Sequence, residues 1–120
     1  MVNDILSDTI IRIKNGLNSE RESVLVSRSK TSLALAKIFK KQGVISKIRK
    51  RERELVLNLL KNPYTIFKRV SRPGQRIYRS YRSIKPLNYG FRVVSTPQGF
   101  MVEKDAVKNK LGGEIICEVK

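Results

Sequence analysis

The spacing of apolar residues changes along the chain, and each change predicts an element. Leu6, Ile10, Ile13 and Leu17 recur at helical intervals near the start. Asn3 is the expected cap of this helix, Asp4 suits the positive end of its dipole, and Gly16 is the expected stop. "VLV" at 24–26 predicts a short strand. A second helix is predicted through "SKTSLALAKIFKKQ", with Ser29 as its cap, Leu35, Ile38 and Phe39 on its core side and Gly43 at its end. "VISKIRK" and "ELVLNLL" then predict paired strands around an Arg51–Arg53 turn. Leu55, Leu57 and Leu59 alternate there as one buried face.

The texture changes at "KNPY" (61–64), which marks an internal boundary. Beyond it, "YTIFKRV" and "RIYRSYR" suit strands joined by a turn on Pro73 and Gly74. "FRVVST" and "GFMV" flank a tight polar loop. "EKDAVKNKLG" predicts a short helix closed by Gly112 or Gly113, and "EIICEVK" a final strand. The expected fold class is α+β with two small lobes. Residues 1–62 form an N-terminal α/β lobe, two helices on a short sheet; residues 63–120 form a mostly β lobe with one short helix.

Charge narrows the function. Against 10 Asp and Glu stand 26 Lys and Arg, a net +16 with a pI near 10.5. Such a chain repels itself without an anionic partner. Nucleic acid fits better than a membrane, because no apolar run approaches the roughly 18 residues that cross a bilayer. The opening "MVNDILSDTI" carries acids and no early Lys or Arg, unlike a signal or transit peptide, so the protein is expected to act in the compartment where it is made. The sequence contains no histidine and no Walker or dinucleotide glycine pattern. Its one cysteine, Cys117, permits no intrachain disulfide and is expected to be a buried free thiol. The chain therefore reads as no enzyme, with no cofactor, no metal site and no small-molecule substrate.

Both lobes share the charge: 14 basic against 6 acidic residues up to Asn62, and 12 against 4 beyond it. From Glu54 to Glu103 no acid intervenes. "KRVSRPGQRIYRSYR" places Arg72, Arg76 and Arg79 around Tyr78. Guanidinium groups meet phosphates while flat side chains meet exposed bases or riboses, a combination suited to RNA. The plainer reading is a solvated strand with core-facing tyrosines, but nothing in the segment neutralises its charge. A second cluster, including Lys37, Lys40 and Lys41, is either a solubilising helix face or a surface for phosphate contacts.

The loop "STPQG" concentrates other chemistry. Ser95 and Thr96 bring hydroxyls that both donate and accept, Gln98 brings an amide, Pro97 stiffens the turn, and Gly99 lets backbone approach a partner. Such a loop suits the minor-groove edge and 2′-hydroxyls of an RNA stem.

Three segments, "SRPGQRIY" (71–78), "VVSTPQGFM" (93–101) and "LGGEIICEV" (111–119), together closely resemble the small-subunit ribosomal protein S-eight family. "NDILSDTIIRIKNG" (3–16) resembles that family's opening helix and "SRSK" (27–30) the approach to its second. The resemblance implies a structural ribosomal protein that binds a stem in the central domain of small-subunit rRNA, helps assemble the platform and contacts neighbouring ribosomal proteins. It implies RNA contacts by Ser95, Thr96, Pro97, Gln98 and Gly99, with Tyr78 and Glu114 forming or supporting the site. Arg72, Arg76, Arg79, Lys30 and Thr31 join them. Two positions depart from the family pattern. Pro97 stands where the family usually has a second serine, and Val102 where it usually has threonine. A trimmed hairpin at Arg51–Glu54 and a Lys- and Ile-rich composition suit a plastid copy, with a bacterium as the alternative. Two rival readings use the same charge. One is a translational repressor on a messenger stem that mimics the rRNA site; the other is a DNA-compacting protein, for which the polar loop has no purpose.

Overall fold

The computed structural model describes residues 4–120, so Asn3, the expected first cap, lies outside the described residues. Asp4 caps instead: its carboxylate accepts from the Ser7 backbone N–H and from the Ser7 hydroxyl. The first helix, α1, spans Ile5–Asn18 and buries Ile10 and Ile13. Gly16 lies inside it and is not its stop. A Cβ there would sit 2.5 Å from Val24 Cγ1 and 2.8 Å from Leu59 Cδ1, so the glycine makes room for the strands packed against the helix. The chain turns away only at Ser19 and Glu20, the latter with φ 53°.

The next elements form one unit with α1, ending at Pro63. Strand β1 (Ser23–Ser27) leads to helix α2 (Lys30–Lys41), then β2 (Ile45–Lys50) and β3 (Glu54–Leu59). Ser29 caps α2 as expected, in a reciprocal box with Ser32 that contributes about 1 kcal/mol. Gly43, at φ +82°, carries the chain out of the helix. The antiparallel sheet has the order β1-β3-β2, and both helices pack on it, burying Leu35 and Phe39 with Leu55 and Leu57. The expected alternation in β3 is incomplete, since Val56 is also buried and Leu59 only partly so. β3 is the central strand, and cross-strand neighbours Leu25 and Arg49 flank Val56 on its own face.

The second unit is Tyr64–Lys120. It contains β4 (Phe67–Arg69), β5 (Tyr78–Arg79), β6 (Phe91–Thr96), β7 (Gly99–Val102), helix α3 (Glu103–Lys108) and β8 (Gly113–Val119). The antiparallel order is β4-β8-β6-β7, with β5 sharing the β4 edge of β8. This α+β arrangement agrees with the expected class. "RIYRSYR" contributes only two strand residues, because β5 pairs with Gly113 and Glu114 and the chain then turns, Ser83 N–H donating to Ser80 O. Pro73 and Gly74 do make the expected turn: Arg72 and Gln75 exchange both backbone bonds at 3.0 Å, and Gly74 has φ +87°. The buried Ser71 hydroxyl then ties the two sides of that excursion by accepting from Ile77 N–H at 2.7 Å.

Ile84, Val94, Ala106 and Ile115 form an apolar core in this unit. Glu103 is fully buried and accepts the Arg92 N–H where the β6–β7 ladder has run out. Cys117 is buried and free, as expected. Desolvation pushes its thiol from 9.0 up to about 12, with nearby Arg69 opposing the shift. The folded protein is therefore expected to resist iodoacetamide at pH 8 and to react promptly in urea. Prompt labelling without urea would show that the strand opens readily.

Candidate nucleic-acid interface

Strand pairing gathers residues that lie far apart in sequence. Tyr78 on β5 faces Glu114 on β8, Glu114 faces Ser95 on β6, and Ser95 faces Phe100 on β7. Cross-strand partners share a sheet face, so these four form one row across roughly 14 Å, three inter-strand spacings. The adjacent positions Ile115, Val94 and Met101 point to the opposite face, into or against the apolar core. Alternation thus sends the aromatic, carboxylate and hydroxyl groups outward.

Two glycines make the row possible. A Cβ on Gly113 would lie 2.0 Å from Ser95 O, and one on Gly112 would lie 2.6 Å from Arg79 O. Neither closes α3 as expected. The helix ends at Lys108, and Lys110, with φ 56°, makes the reversal. The glycines are required where β8 starts between two close backbones.

The "STPQG" loop closes the β6–β7 hairpin. Thr96 is buried, and its hydroxyl donates to Gly99 O at 2.8 Å while accepting Gln98 N–H at 3.2 Å. Pro97 fixes the first turn position, and Gly99 takes φ +111°. Thr96 is therefore occupied in shaping the turn. Ser95 is partly exposed, and Pro97, Gln98 and Gly99 are exposed. Val102 precedes α3 with its side chain buried and supplies no side-chain cap.

Basic residues of the second unit border the row, and other predicted contacts lie elsewhere in the chain. Arg76 donates to both Glu114 oxygens at 3.3–3.4 Å, with Arg76 exposed and the Glu114 side chain only 12% exposed. Tyr78 is 61% exposed, and Arg79 donates to Tyr78 O at 2.9 Å. Arg72 is exposed at the neighbouring turn. Lys30 and Thr31 occupy the first turn of α2 in the other unit, the lysine exposed and the threonine partly so. Toward the other end of β8, Lys120 at 2.8 Å and Arg92 at 3.0 Å hold the Glu118 carboxyl below its usual range. Phe100 is the member of the row that sequence reasoning missed. A two-residue turn at Pro97–Gln98 pairs Thr96 with Gly99, and hence Ser95 with Phe100, so the signal was the turn length.

A cleft of about 550 Å³ lies in the first unit between α1 and β1 and is lined by Arg12, Asn15 and Arg21 among others. Arg12 in this cleft is paired with Asp8 at 3.0 Å. Among the described residues no cluster of three or more His, Cys, Asp or Glu is placed to hold a metal, and no helix is long and apolar enough to cross a membrane.

Comparison with known proteins identifies the family to which this two-unit α+β chain belongs. Residues 4–119 match the family described as Ribosomal protein S8. A small ribosomal subunit protein uS8c of Oltmannsiellopsis viridis is 37% identical over 128 residues, covering 99% of each chain. The uS8c of Chlorokybus atmophyticus is 36% identical with the same coverage. The uS8 of Prochlorococcus marinus (strain MIT 9215) is 34% identical, over 97% of this chain and 96% of the relative. The chain belongs to the ribosomal protein S8 family. It is a structural, non-enzymatic ribosomal component, similar to chloroplast and cyanobacterial members.

Proposed function

We propose that the chain, as part of the small ribosomal subunit, is a primary binder of a stem in the central domain of its rRNA and helps assemble the platform there. The observation that supports this reading is the outward row Tyr78–Glu114–Ser95–Phe100, bordered by the Pro97–Gly99 turn. Ser95 and Gln98 present a hydroxyl and an amide to a minor-groove edge, where ribose hydroxyls give a protein something specific to bind. Thr96 keeps that turn in shape. Tyr78 offers a flat face for a base or ribose, and Glu114 aims Arg76 instead of leaving it to sweep solvent. Arg72 and Arg79 on this unit, with Lys30 on the other, supply affinity through counterion release, and Thr31 offers a hydroxyl beside Lys30.

The test is binding of the protein to a transcript of the central-domain stem at physiological salt, with duplex DNA and an unrelated hairpin as competitors. Strong preference for the stem is expected. Equal binding to all three would leave charge alone acting and defeat the proposal. In the same assay Arg79→Ala is expected to weaken all RNAs alike and to reduce the salt slope by about one ion. An unchanged slope would remove Arg79 from the phosphate contacts.

A further inference from the structure

A pocket of about 220 Å³ opens in the second unit, apart from the Ser95–Gly99 loop. Val70, Ile77, Ile84 and Ile115 line it with aliphatic carbon. Ile84 and Ile115 belong to the apolar core, with Val70 and Ile77 packed against it, so the pocket is a place where that core reaches the surface. The remaining lining includes Arg79, Lys85 and Arg92, with Ser83 between Arg79 and Lys85 in the chain and Glu118 as the one acid.

The polar groups are not equally available. Glu118 pairs with Arg92 at 3.0 Å and with Lys120 at 2.8 Å, so its charge is already answered. Arg92 is further held by donating to Lys85 O at 2.9 Å, which fixes the backbone beside the pocket. Lys85 and Arg79 are exposed, the Arg79 guanidinium spending one donor on Tyr78 O at 2.9 Å. The pocket therefore combines an aliphatic floor, a fixed wall and cations at its mouth. A purely apolar partner side chain would leave those cations unused. The volume is below the roughly 300–1,000 Å³ that holds a drug-sized ligand, and suits one planar base.

We propose that this pocket accepts a single unpaired nucleotide, its base against Ile77, Ile84 and Ile115 and its phosphate at Lys85 and Arg79. Proteins that recognise RNA commonly bind splayed-out bases, and an apolar floor with a cationic mouth meets both ends of such a nucleotide. The inference rests on the rRNA-binding reading and extends it to a second point of contact, away from the loop.

The experiment uses the full chain labelled at isoleucine δ1 methyls, titrated with adenosine 5′-monophosphate and separately with inorganic phosphate. Ring-current shifts are expected at Ile77, Ile84 and Ile115 with the nucleotide, and none at Ile10 or Ile13 of the other unit. Lys85→Ala should weaken that titration roughly tenfold, the loss of one charge-assisted bond. Ile77, Ile84 and Ile115 should also shift in the complex with the central-domain stem. The proposal is overturned if the three methyls stay unmoved by the nucleotide, or if phosphate alone moves them equally. Selective stem binding without movement of these methyls would overturn the pocket while sparing the loop; absence of selective stem binding would overturn the rRNA reading, leaving the nucleotide titration to judge the pocket.

Discussion

Gly113→Ala is expected to destabilise the second unit by roughly 3 kcal/mol, near the upper end for overpacking a close-packed site. The added Cβ would lie 2.0 Å from Ser95 O and 2.8 Å from Ser95 C. Both atoms are backbone, so no rotamer change relieves the clash, and β6 and β8 must separate. That separation breaks the Ser95–Glu114 pairing and moves the hairpin loop with it. Gly16→Ala gives the contrast. Its added methyl would meet side-chain atoms, Val24 Cγ1 at 2.5 Å and Leu59 Cδ1 at 2.8 Å, so the leucine can yield while the stiffer valine takes up part of the strain, and alanine recovers up to about 1 kcal/mol of helix propensity. The two variants are compared by urea unfolding and by amide exchange at Val94 and Ile115. Gly113→Ala should accelerate exchange at both residues and weaken selective RNA binding, whereas Gly16→Ala should leave them near the parent. Unchanged exchange in Gly113→Ala would mean that the strands have slack and that glycine does not set the row.

Three glycines explain where sequence reading stopped. Helical and strand periods were legible because they depend on neighbours within a few residues. Ser29 announced α2, and Pro73–Gly74 announced a turn, through equally local chemistry. A glycine carries two meanings, though: it can end a helix or admit a crossing chain. Gly16, Gly112 and Gly113 do the second, and which chain crosses them is fixed only by the pairing of distant strands. "RIYRSYR" has the composition of a long strand, but its partner offers only Gly113 and Glu114. The candidate site was legible as residue types. Its order was not, since the row from Tyr78 through Glu114 and Ser95 to Phe100 depends on four strands meeting in register. Nor does sequence separate a hydroxyl that faces outward from one that closes its own turn, which divides Ser95 from Thr96.

That division gives the second large effect. Ser95→Ala is expected to lower affinity for the central-domain stem roughly tenfold, the worth of one specific hydrogen bond in a desolvated site, and to leave unrelated duplexes unaffected. Its stability should stay within about 0.5 kcal/mol of the parent, because no bond inside the fold uses the Ser95 hydroxyl among those seen at the loop. Thr96→Val acts by the other route. It keeps the shape of the side chain but deletes the donor to Gly99 O and the acceptor for Gln98 N–H, so it should cost about 1–2 kcal/mol of stability. Stem affinity should fall with it, since Pro97, Gln98 and Gly99 lose their fixed arrangement before binding. Competition binding and urea unfolding on both variants separate the routes. If Thr96→Val weakens the stem with no loss of stability, its hydroxyl contacts RNA directly and the turn is held by Pro97 and Gly99. If Ser95→Ala weakens stem and duplex equally, the hydroxyl reads nothing, and the arginines around Tyr78 carry the interaction through charge.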